Sequence, residues 1–196
     1  MVKCGSHLRN EICLGLEFLH ATRMILGIDA SNIRADGGVT HLMEVLKHGD
    51  PRRSGFQKVI VWSSRATLDK LQDRDWLEMR CDARLEANFM STAFWQQFRL
   101  GACAIREGCD VLFVPGGSFG TRFRPVVTMS QNLLPFEWRE IRRYGVSKAA
   151  LKSILLRWSQ SRSFKSANGV IFLTDYARQT VINAIGDIRG RINEIP

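Results

Sequence analysis

The sequence predicts an α/β fold in which a parallel sheet carries helices on both faces, and three observations predict it. Short runs rich in Val, Ile, Leu and Phe recur without strict alternation, the pattern of strands buried on both sides. Stretches with apolar residues three and four apart lie between them, as helices connecting parallel strands do. Two adjacent glycines, Gly37 and Gly38, stand where the first run hands over to the first helical stretch.

The elements follow in order. "MILGIDA", starting at Met24, reads as the first strand and ends at an acid. "GGVTHLMEVLKHG" then places Val39, Leu42, Met43 and Leu46 on one helix face and stops at Gly49. "KVIVWSS" is the second strand, and "NFMSTAFWQQFRLGACAIREG" reads as one longer helix closing at Gly108. "DVLFVPG" and "VVTMS" are strands. "KAALKSILLRWSQ" is a helix with Leu151, Ile154, Leu155 and Trp158 on one side, a stripe that fails at Ser161, Arg162 and Lys165. "GVIFLTD" is a strand, "YARQTVINAIG" a last helix with Asp175 as its N-cap, and "RINEIP" begins one more strand. Residues 1–23 fall outside this alternation. They read as an N-terminal extension, either an upstream start or a loosely attached helix, and the domain is expected over 24–196.

A chain of 196 residues suits one domain and buries about 70% of its unfolded surface. Its composition, 45% hydrophobic and 24% charged, is that of an ordinary globular protein rather than a disordered one. No apolar run reaches the roughly 20 residues of a membrane-spanning helix. Arg9, Glu11 and Glu17 interrupt the apolar start, so it does not read as a secretory signal. The five cysteines, Cys4, Cys13, Cys81, Cys103 and Cys109, form no C-x-x-C pair and are odd in number, as reduced thiols in a cytosolic protein are. The net charge of +9 is partly local, because eight of the 28 basic residues lie between Arg139 and Lys165.

In a doubly wound sheet the ligand sits beyond the carboxyl ends of the strands, so residues just after strands are the candidates. Gly37 and Gly38 qualify: glycine lets backbone approach a ligand, and the N–H groups of the following helix can face a diphosphate. The same pair also makes an ordinary strand-to-helix turn, and the G-x-G-x-x-G fingerprint is absent. "GGSFG", 116–120, matches G-x-S-x-G literally, but no helix follows Ser118. It therefore reads as a glycine-rich loop, with Gly116 and Gly117 at the crevice, rather than as a hydrolase nucleophile. His41 lies early in the helix behind the glycines, where it can touch a hydroxyl or phosphate or act as a structural donor. Gln131 and Asn132 follow a strand; their amides can orient sugar hydroxyls or cap the loop, and neither removes a proton at neutral pH. His7, His20, His41 and His48 have no ligand spacing with acids or thiols, so no metal site is expected. Arg139, Arg142, Arg143, Lys148 and Lys152, with Trp138 and Trp158, suit contact with an anionic membrane surface or form a solvated basic face.

Together "GIDASNIRADGGVTHL", "GCDVLFVPGG", "PVVTMSQNLLPF", "RRYG", "LLRWSQSRSFKSANGVIFLTDYAR" and the terminal "IP" resemble, in order, the N-terminal half of a GT-B glycosyltransferase. The likeness is to the large retaining family that includes envelope polysaccharide transferases. The resemblance implies a Rossmann-like domain on the acceptor side, facing a second domain that holds a nucleoside-diphosphate sugar and is missing from this chain. It implies a hexosyl transfer to a sugar or lipid-linked acceptor at the cytoplasmic membrane face, with the chain alone inactive. Gly37, Gly38 and His41 would then approach the donor diphosphate. Gln131 and Asn132 stand where many relatives carry His-Asp, leaving His41 and Asn132 as candidate catalytic groups. In retaining members the leaving phosphate can take the acceptor proton, so positioning suffices and no protein-bound metal or tightly bound cofactor is required. A rival reading is a non-catalytic basic module binding nucleic acid or anionic surfaces. No RRM, KH or helix-turn-helix signature supports nucleic acid.

Overall fold

Strands β1 (Met24–Asp29), β2 (Phe56–Trp62), β3 (Leu77–Arg80), β4 (Val111–Val114), β5 (Val126–Ser130), β6 (Gly169–Phe172) and β7 (Arg191–Glu194) pair in parallel, in the order β3-β2-β1-β4-β5-β6-β7. The computed structural model describes residues 24–34, 36–137, 142 and 147–194; the 1–23 extension, Trp138, Arg139, Arg143 and the terminal "IP" lie outside the described residues. The helices are α1 (Asp36–His48), α2 (Arg65–Leu68), α3 (Ala83–Glu86), α4 (Phe89–Phe98), α5 (Leu100–Arg106), α6 (Lys148–Ser166) and α7 (Asp175–Ile185). The fold is the Rossmann-like α/β architecture that the alternation of runs predicts.

Both faces of the sheet are apolar because successive strand residues point to opposite sides. On one side Val39, Leu42 and Leu46 of α1 pack with Ile28, Val59 and Val61. On the other, Ile60, Trp62 and Leu112 meet Trp95 of α4 and Leu100 of α5. Farther along, Val170 and Phe172 of β6 pack with Phe164 of α6 and Val181 of α7. Each such side chain, when fully buried, contributes about 1.5–3 kcal/mol. Gly27 in mid-β1 makes room for this packing: a Cβ there would lie 2.9 Å from the Trp62 ring and 3.1 Å from Leu112 Cδ1.

Four local readings change. β3 was not expected: "LEMR" is four residues at the sheet edge, too short for a periodic signal. The single long helix divides at Arg99, whose φ of −113° departs from helical values, into α4 and α5. The N-cap of α7 is Thr174, not Asp175: its hydroxyl accepts from the Ala177 N–H at 3.1 Å, and Asp175 becomes the first helical residue. Most consequential, α6 continues to Ser166 and turns its apolar stripe outward. Leu151, Ile154, Leu155 and Trp158 are exposed, whereas Ser153, Gln160, Ser163 and Phe164 face inward.

Candidate functional site

Strand order reverses between β1 and β4, the place where open α/β sheets bind ligands, in a crevice beyond the carboxyl ends of the strands. The loop after β1 is fastened by a network with a buried centre at Asp29, Ser31 and Gln96. Asp29 closes β1 at 1% exposure; its carboxylate accepts from the Ser31 N–H at 3.1 Å and from Gln96 Nε2 of α4 at 2.5 Å. Asn32 Nδ2 donates to the Gln96 oxygen at 3.1 Å. Burial raises the Asp29 pKa above the usual carboxyl range, and the hydrogen bonds from Ser31 and Gln96 only partly offset it. Arg34 adds a second tie, donating to the Leu85 and Ala87 carbonyls and to Thr92 Oγ1.

The expected glycines lie in the first turn of α1. A Cβ on Gly37 would meet nothing within 4 Å, so this edge of the crevice is open. A Cβ on Gly38 would lie 3.3 Å from Ile33 Cγ2 and 3.8 Å from Gln131 Oε1, which brings the glycine pair and the amide after β5 to one place. Gln131 is half-buried, and its Nε2 contacts Met129 Sδ at 3.6 Å. His41 lies one turn farther along α1, half-buried, and its Nε2 has no hydrogen-bond partner among the described residues. The Ser118 and Ser130 hydroxyls, after β4 and at the end of β5, are likewise buried and without partners. The Ser31 hydroxyl and the Gln160 side-chain oxygen are also buried without a partner among the described residues. Asn132 differs: it is exposed, and its oxygen accepts from the Leu134 N–H at 3.0 Å, at the start of the turn Leu134–Phe136.

The loop 116–120 crosses the other edge. A Cβ on Gly116 would be 3.4 Å from Asn32 Cβ, so the continuations of β1 and β4 touch at the reversal point. Gly117 has φ +77°, and a Cβ there would be 2.9 Å from Gln160 Nε2 of α6 and 3.3 Å from the Met129 carbonyl. Ser163 Oγ accepts from the Phe119 N–H at 2.9 Å. The polar side of α6 is therefore buried because it holds this loop. No helix follows Ser118; the chain runs through the cis Arg124–Pro125 bond into β5, so the nucleophile-elbow geometry is absent.

Lys148 and Lys152 are exposed on α6, and Arg142 is exposed ahead of it. Between α4 and α6 runs a groove of about 570 Å³, lined also by Ser118, Phe119 and Gly120 of the glycine loop. Among the described residues, no three His, Cys, Asp or Glu side chains converge on a metal-sized site, and no helix is long and apolar enough to cross a membrane. Sequence reasoning missed Gln96, Asn32 and Arg34. None carries a motif, and each acts through a partner more than fifty residues away in sequence. No protein-family model matches the chain, and no curated protein is similar to it in sequence.

Proposed function

We propose that this chain forms the acceptor-side wall of a retaining glycosyl-transfer site of the GT-B type, working opposite a unit that holds a nucleoside-diphosphate sugar. The observation that carries the reading is the meeting of Gly38 with Gln131, and of Gly116 with Asn32, at the point where strand order reverses. Open backbone, a helix N-terminus and neutral amides suit a polyhydroxylated, diphosphate-bearing ligand.

In this reading the first-turn N–H groups of α1, bare at Gly37 and Gly38, face the diphosphate. His41 and Gln131 orient hydroxyls by donating and accepting, and Gly116 and Gly117 let the loop approach the sugar. The anomeric carbon–phosphate oxygen bond breaks, and a new bond forms from the acceptor oxygen to the same face of that carbon. The acceptor proton passes to the leaving diphosphate. Asp29 does not reach the ligand; it holds Gln96 and Ser31, and through them the floor of the crevice.

A titration of the ¹⁵N-labelled chain with UDP-glucose, GDP-mannose and inorganic pyrophosphate tests the reading. Amide shifts gathered on Gly37, Gly38, His41, Gly116 and Gly117 support it. Shifts scattered over the basic surface, or none at millimolar ligand, count against it.

A further inference from the structure

We propose that the outward face shared by α4 and α6 docks on an anionic lipid bilayer. The proposal goes beyond the transfer reading and stands without it.

The face combines two properties that water alone does not favour. Twelve large apolar side chains are exposed among the described residues, and eight belong to these two helices: Phe89, Met90, Phe94 and Phe98 on α4, then Leu151, Ile154, Leu155 and Trp158 on α6. Phe89 is 73% exposed and Trp158 66%. Four of the eight, Phe89, Leu151, Leu155 and Trp158, line one groove, and exposed apolar surface gathered in this way marks an interaction site. On the α4 side Phe89 and Ala93 line the groove, with Leu151, Leu155 and Trp158 opposite them. Lys148, Lys152 and Arg162 line it too; all three are exposed, and none is paired with an acid among the described residues.

Charge selects the occupant. Neither α4, "FMSTAFWQQF", nor α6, "KAALKSILLRWSQSRSFKS", contains an acidic residue, while α6 contains five cations. One of these, Arg157, is turned inward to the Pro135 and Ala184 carbonyls, and the rest remain for an external anion. A second copy of the chain fits poorly, because a two-fold contact through this face would bring together two copies of the same cationic helix pair, which carries no acid. Nucleic acid would satisfy the cations and leave the leucines and phenylalanines unburied. A bilayer surface satisfies both: anionic headgroups meet the cations, the apolar side chains enter the acyl boundary, and the Trp158 indole sits between. The glycine loop lines part of the groove, so docking there sets the crevice beside the headgroups.

The full chain is sedimented with phosphatidylcholine vesicles and with vesicles that also contain phosphatidylglycerol. Binding at least about tenfold tighter to the anionic vesicles is expected, since each cation near such a surface contributes about fivefold. Leu151→Glu with Leu155→Glu, both at exposed positions, should weaken that binding at least about tenfold, with the circular dichroism spectrum unchanged. Lys148→Gln with Lys152→Gln should weaken it comparably and flatten its salt dependence. If the leucine pair perturbs folding, brominated lipid supplies the second measurement: it should quench wild-type tryptophan emission, and Trp158→Phe should remove the larger part of that quenching. Equal affinity for both vesicles, no binding to either, insensitivity to the leucine pair, quenching unchanged in Trp158→Phe, concentration-dependent dimers abolished by the leucine pair, or preference for mixed RNA over anionic vesicles would each overturn the proposal.

Discussion

Gln96 of α4 donates its side-chain amide to the Asp29 carboxylate at 2.5 Å, and both residues are buried. This bond joins the helix that walls the groove to the strand end that floors the crevice. Gln96→Leu keeps the approximate volume and removes the donor, leaving the acid short of one hydrogen bond and Asn32 without its acceptor. The abandoned buried acid costs about 1–3 kcal/mol, whereas exposed Asn32 can turn to water, so urea denaturation should show a loss within that range. A variant as stable as the wild type would mean that the network contributes nothing.

The same acid gives a pH signature. Burial raises the Asp29 carboxyl above its ordinary value despite hydrogen bonds from Ser31 and Gln96. A carboxyl with a raised folded value favours the folded state while protonated. Its contribution is complete below the ordinary carboxyl range and is lost as pH rises through the raised value. Asp29→Asn cannot ionise. The difference in Tm, wild type minus variant, should therefore be largest at the acid end of a calorimetric series from about pH 4 to 8 and smaller at the other. A flat difference would show that Asp29 does not titrate in that interval.

Gly37 and Gly38 share a helix turn and differ in surroundings. Nothing lies within 4 Å of a Cβ on Gly37, whereas on Gly38 it would press Ile33 Cγ2 at 3.3 Å. Gly37→Ala should be neutral or stabilising by up to about 1 kcal/mol, because alanine is the better helix former. Gly38→Val should cost about 1–3 kcal/mol through overpacking. Thermal melts of both variants decide this, and equal effects would mean that the Ile33 contact yields freely.

Much of the fold was legible because burial on two sides writes itself into composition. β1, β2, β4, β5 and β6 each hold a run of branched apolar residues, and the helices between them repeat at three and four. β3 escaped because an edge strand needs one apolar face over only four residues. α6 misled in the opposite sense. Its apolar stripe was visible, but a stripe does not say which way it turns, and here Gln160 and Ser163 are drawn inward by the glycine loop. The site was half legible: Gly38 and Gln131 do meet, while Gln96 and Arg34 matter only through folded geometry. Asn132 shows the limit of residue type, since the amide that could orient a ligand hydroxyl spends its oxygen on the Leu134 N–H.

Cys109 and Cys81 should separate in reactivity. Burial, with the nearby charges of Glu107 and Asp110, pushes the Cys109 thiol up to about 12, and its side chain is covered. Cys81 is exposed, although burial of its sulfur and the hydrogen bond to Glu86 also raise it. Since the thiolate is the reactive form, iodoacetamide at mildly alkaline pH should label Cys81 first and Cys109 only on unfolding, as read by peptide mass spectrometry. Labelling of Cys109 at the rate of Cys81 in the native protein would contradict the packing around β4.

Gly117 tests whether the glycine loop depends on α6. Its φ of +77° is a left-handed conformation that costs a residue with a Cβ about 1–2 kcal/mol, and the Cβ would also stand 2.9 Å from Gln160 Nε2 and 3.3 Å from the Met129 carbonyl. Gln160 can withdraw only by giving up its buried place beneath the loop, and the β5 carbonyl cannot move without disturbing the sheet. Gly117→Ala should therefore lower stability by at least about 2 kcal/mol, strain and crowding adding together. Gly117→Ala combined with Gln160→Ala should recover part of the loss, because the second change removes the nearest obstacle and leaves the φ penalty in place. Chemical denaturation of the four proteins in this cycle gives the coupling directly. A double variant whose loss equals the sum of the two single losses would mean that the loop and α6 are energetically separate, and that the buried polar side of the helix is explained by something other than the glycine turn.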